Sequence, residues 1–266
     1  MSQVRLAATV ILARPSFELY LARRSTSSAF APNAFVFPGG TIEPQDRSPD
    51  AQRRTFGLEP ERLAREFRAE IASDLHSSEP PVERDDARAL LVAALRELFE
   101  EAGVLLAGTA SMQPIAADAG EWARVNDERS RLRNGTIGFA DMLAAHDWYA
   151  DARELMLFSH WITPASEPRR YNTHFFFAVA PPEQAALADA TETHDGIWIA
   201  PGDALERYRR GEMHLVYPTI KHLERLSAFD SVDAALRYIA GKPIVTIMPR
   251  ESDDDFLLPP RLEGAW

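Results

Sequence analysis

Residues 94–106 read ALRELFEEAGVLL, with Arg96 and Glu97 followed by the adjacent pair Glu100 and Glu101 and then by Gly103. An α-helix turns about 100° per residue, so Glu97, Glu100 and Glu101 share one face within one turn. Like charges so placed repel. Two readings are open: a solvated acidic helix face, the ordinary meaning of a short acidic pattern, and a carboxylate cluster that needs cations. The helix itself is well specified. ARALLVAALRELFEEA, residues 87–102, is rich in strong helix formers, Asp85 or Asp86 stands where a cap is expected, and Gly103 stands where a helix stops. Ala89, Val92, Ala93 and Phe99 or Leu95 give it an apolar side, leaving the glutamates on another.

Upstream, VRLAATVILA (4–13) reads as a strand, and FELYLARRS (17–25) pairs with it across a turn near Pro15 and Ser16. A short strand at Phe35 to Phe37 runs into Pro38, Gly39 and Gly40, a breaker with backbone freedom. Residues 47–86 are polar and charged, with a helix expected from about Pro60 to Asp74 and a loop through SSEPPVERDD (77–86). Downstream, 113–153 reads as helical. MLFSHWITP (156–164) and THFFFAVAPP (173–182) read as neighbouring strands, and GIWIAP (196–201) as another. From Gly202 onward DALERYRRGE, PTIKHLERLSA and SVDAALRYIAG read as short helices and IVTIMP as a late strand. This order predicts an α/β sandwich around a mixed sheet rather than a regular βαβ array.

The chain has 266 residues and a formal net charge of -11, from 29 basic and 40 acidic residues. That balance opposes a nucleic-acid backbone as partner while permitting a small phosphorylated ligand screened by cations. With no cysteine there is no disulfide, thiolate metal site or cysteine nucleophile, which fits a reducing, cytoplasmic setting. The apolar run near Val10 stops at Arg14 and reads as a strand rather than a signal peptide, and no stretch approaches the ~20 apolar residues that span a bilayer. Seven histidines are scattered without a His-Glu-x-x-His helix, and no Gly-x-Ser-x-Gly elbow or phosphate loop occurs. His160 and His174 read as packed against sheet neighbours, and Phe175, Phe176 and Phe177 as core.

FPGG at 37–40, an acidic turn with Glu43 and Asp46, and RELFEEAGV at 96–104 together resemble the signature of the Nudix hydrolase family. The second half matches at Arg96, Glu97, Leu98, Glu100, Glu101, Gly103 and Val104. The first half departs from it. Asp46 stands where the pattern has glutamate, and residues 47–95, 49 of them, intervene where the pattern has seven. Loop closure costs little extra with length, so 47–86 reads as an insertion that leaves and returns at one surface point. The interrupted box, LARRSTSSAFAPNAFVFPGG (21–40) and the later segments HWITPASEPRRYNTHFFFAVAP and IWIAPGDALERYRRGEMHLVYPT are similar to the coenzyme A diphosphatase branch, from about Val4 to Leu223.

The resemblance implies a single Nudix-type α/β/α sandwich over 1–266, with 47–86 as a helical insertion and 202–266 as a C-terminal helical extension. It implies a pyrophosphohydrolase acting on a phosphorus-containing acid anhydride, with coenzyme A or acyl-CoA favoured. ADP-ribose, nucleotide sugars, nucleoside triphosphates or a catalytically decayed binding module are the alternatives. A diphosphate repels a nucleophile, so its hydrolysis needs charge neutralisation, and Mg2+, or Mn2+ in its place, prefers hard oxygen donors. Glu100 and Glu101 are then the metal ligands, Glu97 a ligand or the base, and the Gly39 carbonyl a further ligand. Arg96 pairs with Glu100 or Asp46 in support of the catalytic glutamates. Arg23, Arg24, Arg169 and Arg170, with Gly40, are the candidates for contact with substrate phosphates, and Glu192, Asp195 or Glu154 for a distal base. Family members often dimerise, and the tail ESDDDFLLPPRLEGAW (251–266) carries apolar residues that suit a homodimer contact.

Overall fold

The computed structural model of the chain describes residues 4–25, 31–67, 82–115, 118–182, 184, 196–251, 256–258, 260–262 and 266. Its centre is β1 (Val4–Ala13), which pairs in parallel along its whole length with β9 (Arg170–Val179), from Val4 opposite Arg170 to Ala13 opposite Val179. The other edge of β1 is divided. Its C-terminal end meets β2 (Leu19–Arg23) in the expected hairpin, Ala13 opposite Leu19, while its N-terminal half meets β4 (Gly39–Thr41). Thr9, Ala8 and Ala7 face Gly39, Gly40 and Thr41 there. Further strands extend the sheet: β8 (Met156–Ile162) lies antiparallel to β9, β11 (Thr246–Ile247) parallel to β8, and β10 (Gly196–Ile199) and β3 (Phe35–Val36) antiparallel to β2. The sheet is mixed, as the order of elements predicts.

Strands buried on both faces need apolar residues at every position. In β1, Ala8, Val10 and Leu12 face one core and Ile11 and Ala13 the other; in β9, Phe176 and Ala178 oppose Phe175 and Phe177. The phenylalanine run is therefore core on two sides. The first core is covered by α3 (Arg84–Ala102), which is buried almost all round rather than along one stripe. Neither Asp85 nor Asp86 caps it. The N-cap is Glu83, without a side-chain bond, and the two aspartates sit in the first turn, where they favour the positive end of the helix dipole. Around α3 lie α1 (Pro49–Arg53), β5 (Thr55–Phe56), α2 (Pro60–Glu66), α4 (Ala119–Arg133) and α5 (Phe139–Ala145).

The stretch 113–153 is not helical throughout: β7 (Tyr149–Asp151) joins β5 and β6 (Ala107–Gly108) in a separate small sheet. Through β5 the 47–86 segment gains a strand partner from downstream. The helix expected to Asp74 is described to Glu66, and residues 68–81 lie outside the described residues.

The second core is covered by α6 (Pro201–Arg209), α7 (Tyr217–Leu226) and α8 (Val232–Gly241), so residues 202–266 contribute the third layer of the sandwich. The tail's apolar residues do not all face outward: Leu262 and Trp266 are buried in this core, Trp266 against Phe158, Trp161 and His222, while Leu257 is 56% exposed. No helix among the described residues is long and apolar enough to cross a membrane.

Three histidines are built into these cores. His160 stacks on His174 and is held by Thr246 at 2.9 Å and Asn172 at 2.6 Å. His222 donates to the Pro218 carbonyl at 2.6 Å and accepts from the Ser159 hydroxyl at 2.7 Å, which in turn accepts from the Trp161 indole. Burial pulls His160 down to about 4, partly offset by Asn172, and His222 to about 3, partly offset by Pro218. Burial, with His160 alongside, takes His174 well below the ordinary histidine value.

These folded-state values lie below those of the unfolded chain, so the unfolded state takes up protons first as pH falls. The histidine contribution is complete above about pH 6.5 and is lost toward pH 4, roughly 3 kcal/mol for His160 alone. Denaturant unfolding of wild type and His160→Gln between pH 7 and 4 checks this: the wild type should lose stability more steeply. Parallel pH profiles would contradict it.

Candidate active site

Two sequence-distant segments meet at Arg96. It lies on α3, is 1% exposed, and spends all five of its N–H donors. Nε and Nη2 each donate to a carboxylate oxygen of Asp46 at 2.9 Å, Nη2 also to the Thr41 carbonyl at 3.3 Å, and Nη1 to Glu97 at 2.9 Å and Glu100 at 3.3 Å. Burial opposes its charge, but the bonds from Asp46 and the fields of Glu97 and Glu100 outweigh it and raise its pKa further above the ordinary value. Asp46 is held independently. It sits third in a short 3-10 turn, Pro44–Arg47, where its second oxygen accepts from the Glu43 amide at 2.8 Å. Arg47 then pairs with Asp86, which ties the start of the 47–86 segment to its end at the foot of α3.

The glycines bring the first segment against the helix. The Gly39 amide donates to Glu101 at 3.0 Å. A Cβ on Gly39 would lie 2.4 Å from the Ala8 carbonyl oxygen, a backbone atom that cannot give way, and one on Gly40 would lie 2.2 Å from the Glu97 carboxylate and displace it. At the far end of α3, Gly103 takes φ 70°, and its amide closes on the Phe99 carbonyl at 2.9 Å. Arg129 from α4 lies beneath it, buried, and donates to the Glu100 carbonyl at 3.0 Å.

These contacts crowd three carboxylates into low dielectric without full neutralisation. Burial pushes Glu97 up to about 7, against Arg96 and with help from Glu101 and Glu100. Burial raises Glu100 against the pull of Arg96, and raises Glu101 against the Gly39 amide and Arg24. A hard divalent cation would relieve this, and the oxygen donors suit one. Among the described residues no three His, Cys, Asp or Glu side chains stand convergent enough to hold a metal ion, so the residues fit a cation in donor chemistry and location, with the side chains still to converge.

Glu97, Glu101, Gly39, Gly40 and Arg24 line one cleft of about 460 Å³, which continues past Phe37, Thr173 and Tyr171 to Arg5. Glu100 stands beside it on Arg96. Arg23 does not line this cleft: it lies over the Phe35 ring and reaches Asn33. Arg170 lines an adjoining cavity with Arg169, and its Nε donates to the Thr163 and Pro164 carbonyls at 3.1 Å. Glu154 is exposed beside β7 and away from the cleft lining, while Glu192 and Asp195 lie outside the described residues. Sequence reasoning missed Arg129 and Arg5. No local pattern marks the first. For the second, strand alternation with Ala7 and Thr9, both on the cleft wall, was the available signal.

A mixed sheet between helical layers, with an Arg-Glu-x-x-Glu-Glu helix packed on a glycine strand, is the Nudix arrangement. The structure is similar to that of a NUDIX hydrolase from Alicyclobacillus acidocaldarius, with a TM-score of 0.66 and 26% identity over 92% of this chain and 99% of that one. The chain belongs to the NUDT19 Nudix domain family, whose model matches residues 2–226. Its relatives include the acyl-coenzyme A diphosphatase NUDT19 of Gallus gallus, 30% identical over 258 residues, and that of Homo sapiens, 29% over 244. Each alignment covers 86% of this chain, and 66% and 65% of those proteins, so the chain spans just under two thirds of the relatives' length.

The Arg96–Asp46 pair carries a stability prediction. Removing one partner of a buried ion pair typically costs about 3–5 kcal/mol, because the other charge stays buried. Asp46→Ala should lose that much in denaturant unfolding, whereas Arg47→Ala, at an exposed pair, should change stability by less than about 1 kcal/mol. Equal effects would show that Asp46 is not the fastening.

Proposed function

We propose that this chain is a divalent-cation-dependent Nudix pyrophosphohydrolase acting on coenzyme A or an acyl-CoA, releasing a phosphopantetheine product and adenosine 3',5'-bisphosphate. The observation that carries the reading is the set of three carboxylates gathered by Arg96 and the glycine strand at the wall of a cleft. The names of the NUDT19 relatives support the choice of substrate. The domain is read as one unit with 47–86 inserted in the box.

In this reading Glu100 and Glu101, with the Gly39 carbonyl, hold Mg2+ or Mn2+, and Glu97 is a further ligand or the base that takes a proton from the attacking water. The bound cation supplies charge neutralisation for the diphosphate. Arg96 touches no substrate; it fixes the direction of Glu97 and Glu100 through Nη1 while Asp46 fixes Arg96. Gly39 and Gly40 let the diphosphate approach backbone rather than side chain, and Arg24 places a guanidinium at the cleft beside Glu101. The water oxygen bonds to one phosphorus, the bridging P–O bond breaks, and the released phosphate oxygen leaves as the anion.

Mass identification of products from a pool of coenzyme A, acetyl-CoA, ADP-ribose and nucleotide sugars, with and without Mg2+, tests this. Mg2+-dependent adenosine 3',5'-bisphosphate is expected, falling at least about 100-fold in Glu97→Gln and in Glu100→Gln/Glu101→Gln. Cleavage of ADP-ribose or nucleotide sugars alone would replace the substrate. Equal turnover by wild type and variants on every compound would remove the activity from this helix.

A further inference from the structure

We propose that Arg5 and Arg169 form a phosphomonoester subsite that recognises the ribose 3'-phosphate of the substrate. The inference rests on the functional reading above and assigns which phosphate these arginines hold. Arg5 lies two residues before Ala7 and four before Thr9, and all three line the cleft. Thr9 pairs with Gly39, so Arg5 stands roughly 13 Å of strand from the glycine beside Glu101, at about 3.3 Å per residue. Its side chain does not continue outward from there. Nη2 donates to the Thr41 hydroxyl at 3.1 Å, on the residue that follows Gly39 and Gly40, which brings the guanidinium back toward the carboxylates. The guanidinium therefore stands at Thr41, next in the chain to the glycines that a diphosphate would meet. That bond uses one of five guanidinium N–H groups.

The second observation is an adjoining cavity of about 430 Å³ lined by Arg5, Pro168, Arg169, Arg170 and Tyr171. Arg5 and Tyr171 belong to both walls and sit opposite one another in the parallel β1–β9 register, so the cleft runs directly into this cavity. Three of its five lining residues are arginines and none is a carboxylate, in a chain whose formal net charge is -11. Arg170 anchors the turn through Thr163 and Pro164, which sets where Arg169 and Tyr171 stand on either side of it. A phosphomonoester carries nearly two negative charges and three acceptor oxygens at neutral pH, which two guanidinium forks match better than a diester or a hydroxyl would.

The test compares coenzyme A with 3'-dephospho-coenzyme A. Wild type should favour coenzyme A in kcat/KM, and in Arg5→Ala/Arg169→Ala the ratio of the two values should fall at least tenfold. A ratio near one in wild type, or a loss shared equally by both substrates, would overturn the subsite while leaving the activity in place. Calorimetry provides an arm independent of turnover: adenosine 3',5'-bisphosphate should bind wild type at least tenfold tighter than AMP, and the double variant should lose that margin. If neither coenzyme A nor its dephospho form is hydrolysed, the functional reading fails and this arm still decides the subsite, with no margin in wild type counting against it. Both side chains are exposed, so unchanged melting of the variants is the accompanying check on folding.

Discussion

The bidentate pair between Arg96 and Asp46 is the constraint on which the site depends. A buried charge costs free energy unless it is fully bonded, and the guanidinium meets that condition only when five acceptors surround it: two from Asp46, one from Thr41, and one each from Glu97 and Glu100. Those acceptors come from the glycine strand, the turn after it and α3. Arginine is needed there because a lysine offers three donors from one point and cannot reach five acceptors spread over that plane. Closing this network fixes Glu97 and Glu100 on the face that helix geometry gives them and joins segments separated by the inserted residues.

The sheet supplies the second half of the constraint. Because β1 gives its outer edge to β2 at one end and to β4 at the other, the chain must turn in between, and Gly39 and Gly40 fall where β4 passes against both Ala8 and Glu97. A side chain at Gly39 would push the strand off the sheet, and one at Gly40 would displace the Glu97 carboxylate. The same division leaves Arg5, Ala7 and Thr9 of β1 along an open wall, which becomes the cleft. Helices α6 to α8 cover the second core, and α7 meets the cleft at Pro218 and Thr219.

Much of this was readable from local patterns. The hydrophobic runs gave β1, β8 and β9, the turn residues gave the first hairpin, and the spacing of Arg96, Glu97, Glu100, Glu101 and Gly103 gave the helix and its end. Nonlocal features were not readable. α3 begins at Arg84 because three residues before Ala87 take helical geometry without a side-chain cap, and β7 has no local signal because its three residues become a strand only against β5 and β6. The tail looked adhesive in sequence because nothing local shows that Trp266 packs under His222 and accepts from Tyr238. Arg129 illustrates the same limit: its role is to bond the Glu100 carbonyl from another helix, a contact no motif spells.

The central claim is that three carboxylates are gathered to hold a cation and do not form a solvated acidic surface. Electron paramagnetic resonance of Mn2+ added to the purified protein measures this without any substrate. Wild type should remove Mn2+ from the free-ion signal with a defined stoichiometry, and Glu100→Gln/Glu101→Gln, folded as judged by its melting, should not. Equal Mn2+ binding by the two proteins, or none by either, would contradict the account.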